Sequence, residues 1–146
     1  MKRLGYVLTA AVAMLLVGQP KSAQAQNPQE ILDTCSEELR EIVVRCVDRN
    51  FDTTRECVRR INDLLNQGNV QEARIVAERC KNKLAEDTQQ CVDAIHMLCR
   101  RCVNALLDAN ALRAARHFVE ACENAVETVR NSQRRGTNAI EDALGF

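Results

Sequence analysis

Residues 57–80 read CVRRINDLLNQGNVQEARIVAERC, and this stretch decides the fold. It has a cysteine at each end, no proline, and a single glycine, Gly68, within a central Gln-Gly-Asn turn. Apolar residues on both sides of the turn recur at three- and four-residue steps, which is the period of a helix face. Because glycine readily takes the left-handed conformation that ends a helix, the stretch predicts a helical hairpin that turns at Gly68.

The hairpin pattern occurs a second time in the chain. Residues 99–122 read CRRCVNALLDANALRAARHFVEAC and align without gaps with residues 57–80. The two stretches share both end cysteines and the Leu-Leu pair before the turn, which in the second copy is the segment 108–110. Duplicated hairpins are typical of helical bundles and solenoids, in which each unit buries the open face of its neighbour.

The spacing of the eight cysteines predicts how they pair. Two triplets have intervals of 11 residues, and 11 residues return to nearly the same face of a helix. In a hairpin that turns at 68–69, facing residues have numbers that sum to 137, and three cysteine pairs meet this condition. The remaining two cysteines flank the second turn. The predicted disulfides are Cys35–Cys102, Cys46–Cys91, Cys57–Cys80 and Cys99–Cys122.

The apolar periodicity is helical throughout, so the predicted fold class is all-α, built from disulfide-stapled antiparallel helical hairpins. Polar interruptions at 50–53 and 86–88 predict helix boundaries, and residues 53–56 have the pattern of a capping box. Residues 26–131 are predicted to form the stapled domain, followed by a loosely structured tail, 132–146. The five predicted helices are 29–49, 54–66, 70–86, 88–108 and 111–131.

The predicted hairpin over 54–86 has no obvious third helix to cover it. Two arrangements are open: the hairpin projects as an arm, or it bends back at 50–53 and 86–88 to close a bundle. An uncovered apolar stripe favours contact with an unknown protein partner or with a second copy of the chain. The residues predicted to form this partner surface are Val58, Ile61, Leu65, Val70 and Val76.

The N-terminus has the organisation of a secretory signal peptide. Lys2 and Arg3 precede an uncharged apolar run over 4–17, and Ala23-Gln24-Ala25 is a small-x-small cleavage site. We expect residues 1–25 to be removed and the mature protein to be secreted or periplasmic, with no membrane span after cleavage; an uncleaved anchor is the alternative. An even number of cysteines in an exported chain of this size predicts a disulfide framework.

Composition argues against some classes of ligand. The full chain has 20 basic and 20 acidic residues, and cleavage would remove three basic ones, leaving a mature charge of −3. This mildly acidic balance argues against nucleic-acid binding, which is typical of proteins with a basic stripe. Aromatic residues make up only 3% of the chain, which disfavours stacking on bases or sugars.

The CxxC segment over 99–102 is the one motif with a possible chemistry. Catalytic CxxC pairs lie at a helix N-terminus, where the dipole lowers the thiol pKa, whereas this segment is predicted in mid-helix. We therefore expect structural disulfides, no cofactor and no catalytic residues, in a non-enzymatic protein that acts by protein–protein contact or as a structural component. The alternative is thiol-based zinc or copper binding. Its candidate ligands are His96, Cys99, Cys102, Cys122 and His117.

Overall fold

The computed structural model describes residues 27–145, and the regular structure in this range is α-helical. Three helices follow one another: α1 (Pro28–Asn66), α2 (Val70–Asp108) and α3 (Leu112–Ala143). The helices form an up-down-up bundle, in which α2 is antiparallel to both neighbours and all three pairs are in contact. The predicted all-α class is confirmed. The predicted signal peptide, residues 1–25, lies outside the described residues.

Both connections are tight turns of the same type. Gly68 has a φ of +74°, and the amides of Gly68 and Asn69 donate to the carbonyls of Leu65 and Leu64. The second turn repeats this pattern around Asn110, with a φ of 55°. Each turn is a Schellman motif, which requires one left-handed residue directly after the helix. The turns predicted from the duplicated hairpin are therefore present, and glycine and asparagine occupy equivalent positions in them.

The prediction of five helices is wrong, because two predicted boundaries lie inside continuous helices. α1 runs through 50–53 and α2 runs through 86–88, so each helix has 39 residues and is about 58 Å long. The polar residues in these segments do not end the helices, since Asn50 and Thr88 are buried and hydrogen-bonded to each other across the bundle.

The prediction of a loose tail over 132–146 is also wrong, because α3 continues to Ala143. Apolar or small residues keep the helical period past residue 129, and Gly136 and Ile140 are both buried. This part of α3 packs along the hairpin formed by the second half of α1 and the first half of α2. The hairpin neither projects nor bends back; α3 extends to cover it.

The buried apolar residues form two clusters, which divide the bundle into an upper and a lower section. The upper section is centred on Phe118, Leu106 and Ile95. The lower section is centred on Ile61, Leu84 and Ile140. Each section contains side chains from all three helices, so both are three-helix cores.

The eight cysteines are joined in four disulfides, with Cα–Cα distances of 6.1 to 6.3 Å. These distances are ordinary for disulfides between neighbouring elements. Three of the disulfides connect α1 to α2 and one connects α2 to α3. The pairs are the same four that follow from the sequence register: Cys35–Cys102, Cys46–Cys91, Cys57–Cys80 and Cys99–Cys122.

Candidate functional site

A layer of buried and half-buried polar side chains separates the two sections. The Asn50 side-chain amide donates to Thr88 Oγ1 at 3.0 Å and to Ser132 Oγ at 2.8 Å. One residue comes from each helix, and we call Asn50, Thr88 and Ser132 the polar layer. Thr54 lies one turn further along α1, and its hydroxyl donates to the Asn50 carbonyl at 2.7 Å. The layer therefore connects all three helices at one height.

The polar layer is not fully satisfied. Asn50 Oδ1 is buried and has no hydrogen-bond partner among the described residues. A buried acceptor without a partner costs about 1–3 kcal/mol, so the layer contributes less to stability than an apolar layer of the same shape would. A single buried asparagine is known to fix the register of helices in coiled coils. We interpret the layer in the same way, since its two hydrogen bonds form only when the three helices are aligned.

Gly136 brings α3 close to α1 directly beside the polar layer. A Cβ atom at this position would overlap Thr54 Oγ1 and would lie 3.0 Å from Leu84 Cδ1. Glycine is therefore required by the close approach of the helices, although it lowers helix propensity by about 1 kcal/mol relative to alanine. The close approach leaves a depression on the outer surface between the two helices.

This depression is the α1–α3 groove, an open groove of about 590 Å³. It follows α3 from Thr128 to Ala139, a length of about 16 Å or three helical turns. The polar layer reaches its floor through Ser132. Its lining residues are Val47, Phe51, Thr54, Thr128, Asn131, Ser132, Arg135, Gly136 and Ala139.

One exposed aromatic side chain and two cations stand at the groove. Phe51 is 64% exposed, although it lies in the middle of α1. The Arg55 guanidinium lies 5.8 Å from the centroid of its ring, which is within cation–π range, and also pairs with Asp52 at 3.4 Å. Arg135 lines the opposite side on α3 and forms no ion pair or hydrogen bond with the residues described. The groove therefore combines apolar surface with unneutralised positive charge.

The partner surface predicted on the 54–86 hairpin is wrong at two of its five residues, which are buried in the lower section. Ile61 is fully buried and Val76 is only 3% exposed, while Val70 is 49% exposed beside the turn. Val58 and Leu65 are half-buried at the edge of the lower cluster. The side chains of α3 that pack against this cluster are Ile140, Ala143 and Leu144.

The candidate metal ligands are not brought together as free donors. Cys99 bonds to Cys122 and Cys102 bonds to Cys35, so the CxxC cysteines have different partners and neither is a thiol. His96 and His117 are exposed on different helices. Between residues 27 and 145, no group of three His, Cys, Asp or Glu side chains is close enough to hold a metal ion.

Two shifted pKa values both belong to surface cations. A hydrogen bond from Arg40 to Glu37 raises the pKa of Arg40. A hydrogen bond to Glu78 raises the pKa of Lys81, against an opposing effect of burial, and Glu141 on α3 adds to the increase. Both shifts stabilise the protonated form of a side chain that is already charged at neutral pH, so they reflect surface ion pairing.

The polar layer and the groove were not predicted from the sequence, although one signal for the layer was available. The cysteine register pairs residues whose numbers sum to 137, and Asn50 and Thr88 sum to 138. Asn50 therefore faces Thr88 across the predicted hairpin. This placement favours the interpretation of the two residues as a buried polar pair over their interpretation as helix boundaries. No comparable signal identifies the groove, because it depends on where α3 lies.

These features define a class: a disulfide-stapled three-helix bundle with a polar layer between two apolar cores. The chain matches no protein-family model, no curated protein and no solved structure. No helix within residues 27–145 is both long and apolar enough to cross a membrane. Four disulfides fit an extracellular or otherwise oxidising compartment, where such bonds form and persist.

Proposed function

We propose that this protein is exported and acts without catalysis, by binding an acidic amphipathic helix of a partner protein in the α1–α3 groove. The observation that carries the proposal is the exposure of Phe51 beside an apolar groove that three helices hold in place. Exposed aromatic and arginine side chains are enriched where proteins bind one another. Phe51 and Arg135 supply one of each, on opposite sides of the groove.

The shape of the groove supports a helical partner. Two parallel helices, α1 and α3, form its walls, and its length matches about three turns of a helix. Amphipathic helices bind in such grooves through apolar residues at three- and four-residue steps. An added helix would rest on Val47 and Ala139 and would complete a four-helix arrangement at this height.

The charge of the groove supports an acidic partner. Arg135 forms no ion pair with the described residues, and Arg55 contacts both the Phe51 ring and the Asp52 carboxylate. A carboxylate on the partner helix would pair with Arg135 while an apolar side chain next to it contacts Phe51. Oppositely charged groups across an interface raise the association rate and select the partner.

A photo-crosslinking experiment in the exporting cell tests this proposal. Benzoylphenylalanine replaces Phe51 in one version of the full chain and Met97 in another, because Met97 is at least as exposed but lies on α2 away from the groove. We expect a crosslink to a second protein from position 51 and none from position 97. The Arg135→Glu substitution should lower the yield about fivefold or more, as loss of an interface arginine does, whereas Arg116→Glu should not.

Other results would contradict the proposal. A crosslinked product of twice the chain mass would make a second copy of this protein the occupant. Equal yields from positions 51 and 97, or a yield unaffected by Arg135→Glu, would remove the groove from the interaction. Export is tested separately by N-terminal sequencing of the protein outside the cytosol, where we expect Gln26 as the first residue.

A further inference from the structure

The Cys57–Cys80 disulfide lies in an open groove of the lower section, on the side where α1 and α2 meet. Both cysteines line this groove, which has a volume of about 300 Å³. Cys80 is partly exposed, whereas the other seven cysteines are buried. Access is a main determinant of how fast a disulfide reacts with a thiol, and Cys80 is the most exposed cysteine in the described chain.

The groove around this disulfide is positively charged. Arg60, Arg79 and Lys83 line it, against one acidic side chain, Glu56. Lys83 also pairs with Asp87 outside the groove at 3.1 Å, which partly neutralises its charge. Most of the positive charge of the groove therefore comes from Arg60 and Arg79. Neighbouring cations attract an anion and stabilise a thiolate, and both effects favour exchange at this disulfide.

The Cys35–Cys102 disulfide provides a matched comparison within the same molecule. It lines a groove of about 310 Å³ between the same two helices. Here the lining charges are Glu30, Glu38 and Arg101, and Arg101 is already paired with Glu38. Both of its cysteines are buried residues. The two grooves thus have similar size, but they differ in the sign of their net charge and in how exposed their cysteines are.

We propose that Cys80 is a thiol-exchange site, at which a small anionic thiol forms a mixed disulfide with this protein. The thiolate of the small molecule attacks Cys80 Sγ and forms a new S–S bond. The Cys57–Cys80 bond breaks, and Cys57 Sγ leaves with the electron pair as a thiolate, which takes up a proton from water. A second thiolate can then release Cys80 in the same way, which leaves two protein thiols and one oxidised small-molecule disulfide.

Exchange at this position opens only one part of the bundle. The other three disulfides keep the upper section closed, because none of them shares a cysteine with this pair. In the lower section, α3 still covers the hairpin through Ile140. The lower section is therefore the part of the fold that responds to the thiol composition of its surroundings.

Three small thiols of similar size and different charge test the proposal on the full oxidised protein. These probes are 2-mercaptoethanesulfonate, 2-mercaptoethanol and 2-aminoethanethiol, compared at equal thiolate concentration and low ionic strength. After rapid alkylation, peptide mass spectrometry reports which disulfide has reacted and which sulfur carries the adduct. We expect the first adduct on Cys80. We define the anionic-to-cationic ratio as the exchange rate with 2-mercaptoethanesulfonate divided by the rate with 2-aminoethanethiol. We expect this ratio to be about tenfold larger at Cys57–Cys80 than at Cys35–Cys102.

The substitutions Arg60→Gln and Arg79→Gln, made together, separate charge from access. They should lower the anionic-to-cationic ratio at Cys57–Cys80 several-fold and leave the ratio at Cys35–Cys102 unchanged. The matched control is the double substitution Arg113→Gln and Arg116→Gln, which removes two exposed arginines on α3. It should change neither ratio. First reaction at any other disulfide, an adduct on Cys57, or a ratio insensitive to the first pair of substitutions would overturn the proposal.

Discussion

The upper and lower sections of the bundle are stabilised in different ways. The upper section contains three disulfides, and one of them, Cys99–Cys122, attaches the first half of α3 to α2. Beyond Cys122, α3 has no covalent connection to the rest of the bundle. In the lower section it is held by Ile140, by the close approach at Gly136 and by the ion pair between Lys81 and Glu141. α3 is thus attached by a disulfide in the upper section and by side-chain packing and an ion pair in the lower section.

The largest expected effect comes from removing the packing that holds α3 in the lower section. Ile140 is fully buried, so Ile140→Ala should lower the free energy of unfolding by about 4 kcal/mol. Urea denaturation of the oxidised protein measures this loss. Hydrogen exchange should accelerate in the second half of α3 and in the covered hairpin, while amides near Ile95 in the upper section keep their protection.

Ile75→Ala is the matched control for this substitution. Ile75 is 39% exposed on α2, so its truncation should cost less than about 1 kcal/mol. If Ile140→Ala were equally mild, or if it accelerated exchange equally in both sections, the two sections would not be distinct stability units.

The next effect concerns the disulfides that connect α1 and α2. The chain between Cys57 and Cys80 spans 23 residues and the chain between Cys35 and Cys102 spans 67. Taken alone, the longer loop predicts about 1 kcal/mol more stabilisation, since loop entropy grows with the logarithm of length. However, the disulfides are nested. When Cys46–Cys91 is intact, it already closes most of the longer loop.

We therefore expect the Cys57→Ser/Cys80→Ser variant and the Cys35→Ser/Cys102→Ser variant to lose similar stability, about 3 kcal/mol each. Thermal or urea unfolding of both variants measures the losses. A loss about 1 kcal/mol larger for the Cys35–Cys102 pair would mean that the disulfides act independently, and the nested interpretation would then be wrong.

The disulfide register was predictable because it depends on local regularity. An interval of 11 residues keeps cysteines on one face of any α-helix, and Gly68 marks the turn independently. The prediction needed no knowledge of α3. The partner surface was not predictable in this way, because Ile61 and Val76 look uncovered until α3 is known to continue past residue 132.

The boundaries predicted at 50–53 and 86–88 failed because a polar residue has two uses in a helical protein. Asn, Asp and Thr are favoured at helix ends, but they also occur in buried layers when a distant partner is available. The partners of Asn50 are 38 and 82 residues away in sequence, so local pattern alone favours the wrong choice. Gly136 lies in the segment predicted as a loose tail, and the proximity of Thr54 explains why a glycine occurs there within α3.

A charge placed in the polar layer tests whether the layer is as isolated from water as the two cores. Asn50→Asp should lower stability by about 2 kcal/mol at neutral pH, since a buried carboxylate is only partly compensated by the Thr88 and Ser132 hydroxyls. Burial raises the folded-state pKa of the new carboxyl above its unfolded value of about 3.9. The stability of the variant should therefore be closest to that of the parent protein when the pH is below the unfolded-state pKa. The variant should lose stability as the pH rises through the folded-state pKa.

Unfolding measured between about pH 3 and pH 8 tests this expectation. Asn104→Asp, at an exposed position on α2, is the control and should change stability little over the same range. A deficit for Asn50→Asp that does not depend on pH would indicate that the layer is accessible to water, and the division into two dry cores would then need revision.

The smallest expected effect tests the close approach at Gly136. Alanine improves helix propensity by about 1 kcal/mol, but its Cβ overlaps Thr54 Oγ1, which is held by its hydrogen bond to the Asn50 carbonyl. Overpacking of this kind costs about 1–3 kcal/mol, so Gly136→Ala should be destabilising by about 1 kcal/mol overall. The loss should appear in urea unfolding and as faster hydrogen exchange in the lower section only.

A double-mutant cycle with Thr54→Ala identifies the cause. Removing the Thr54 hydroxyl removes the overlap, and the flexible end of Leu84 can adjust to its 3.0 Å contact. In the Thr54→Ala background, Gly136→Ala should therefore be neutral or stabilising, with a coupling energy of about 1–2 kcal/mol between the two positions. Additive effects would show that the glycine is not required by Thr54. The lower section would then depend on Ile140 and its neighbours alone, and the contrast with the disulfide-linked upper section would be sharper still.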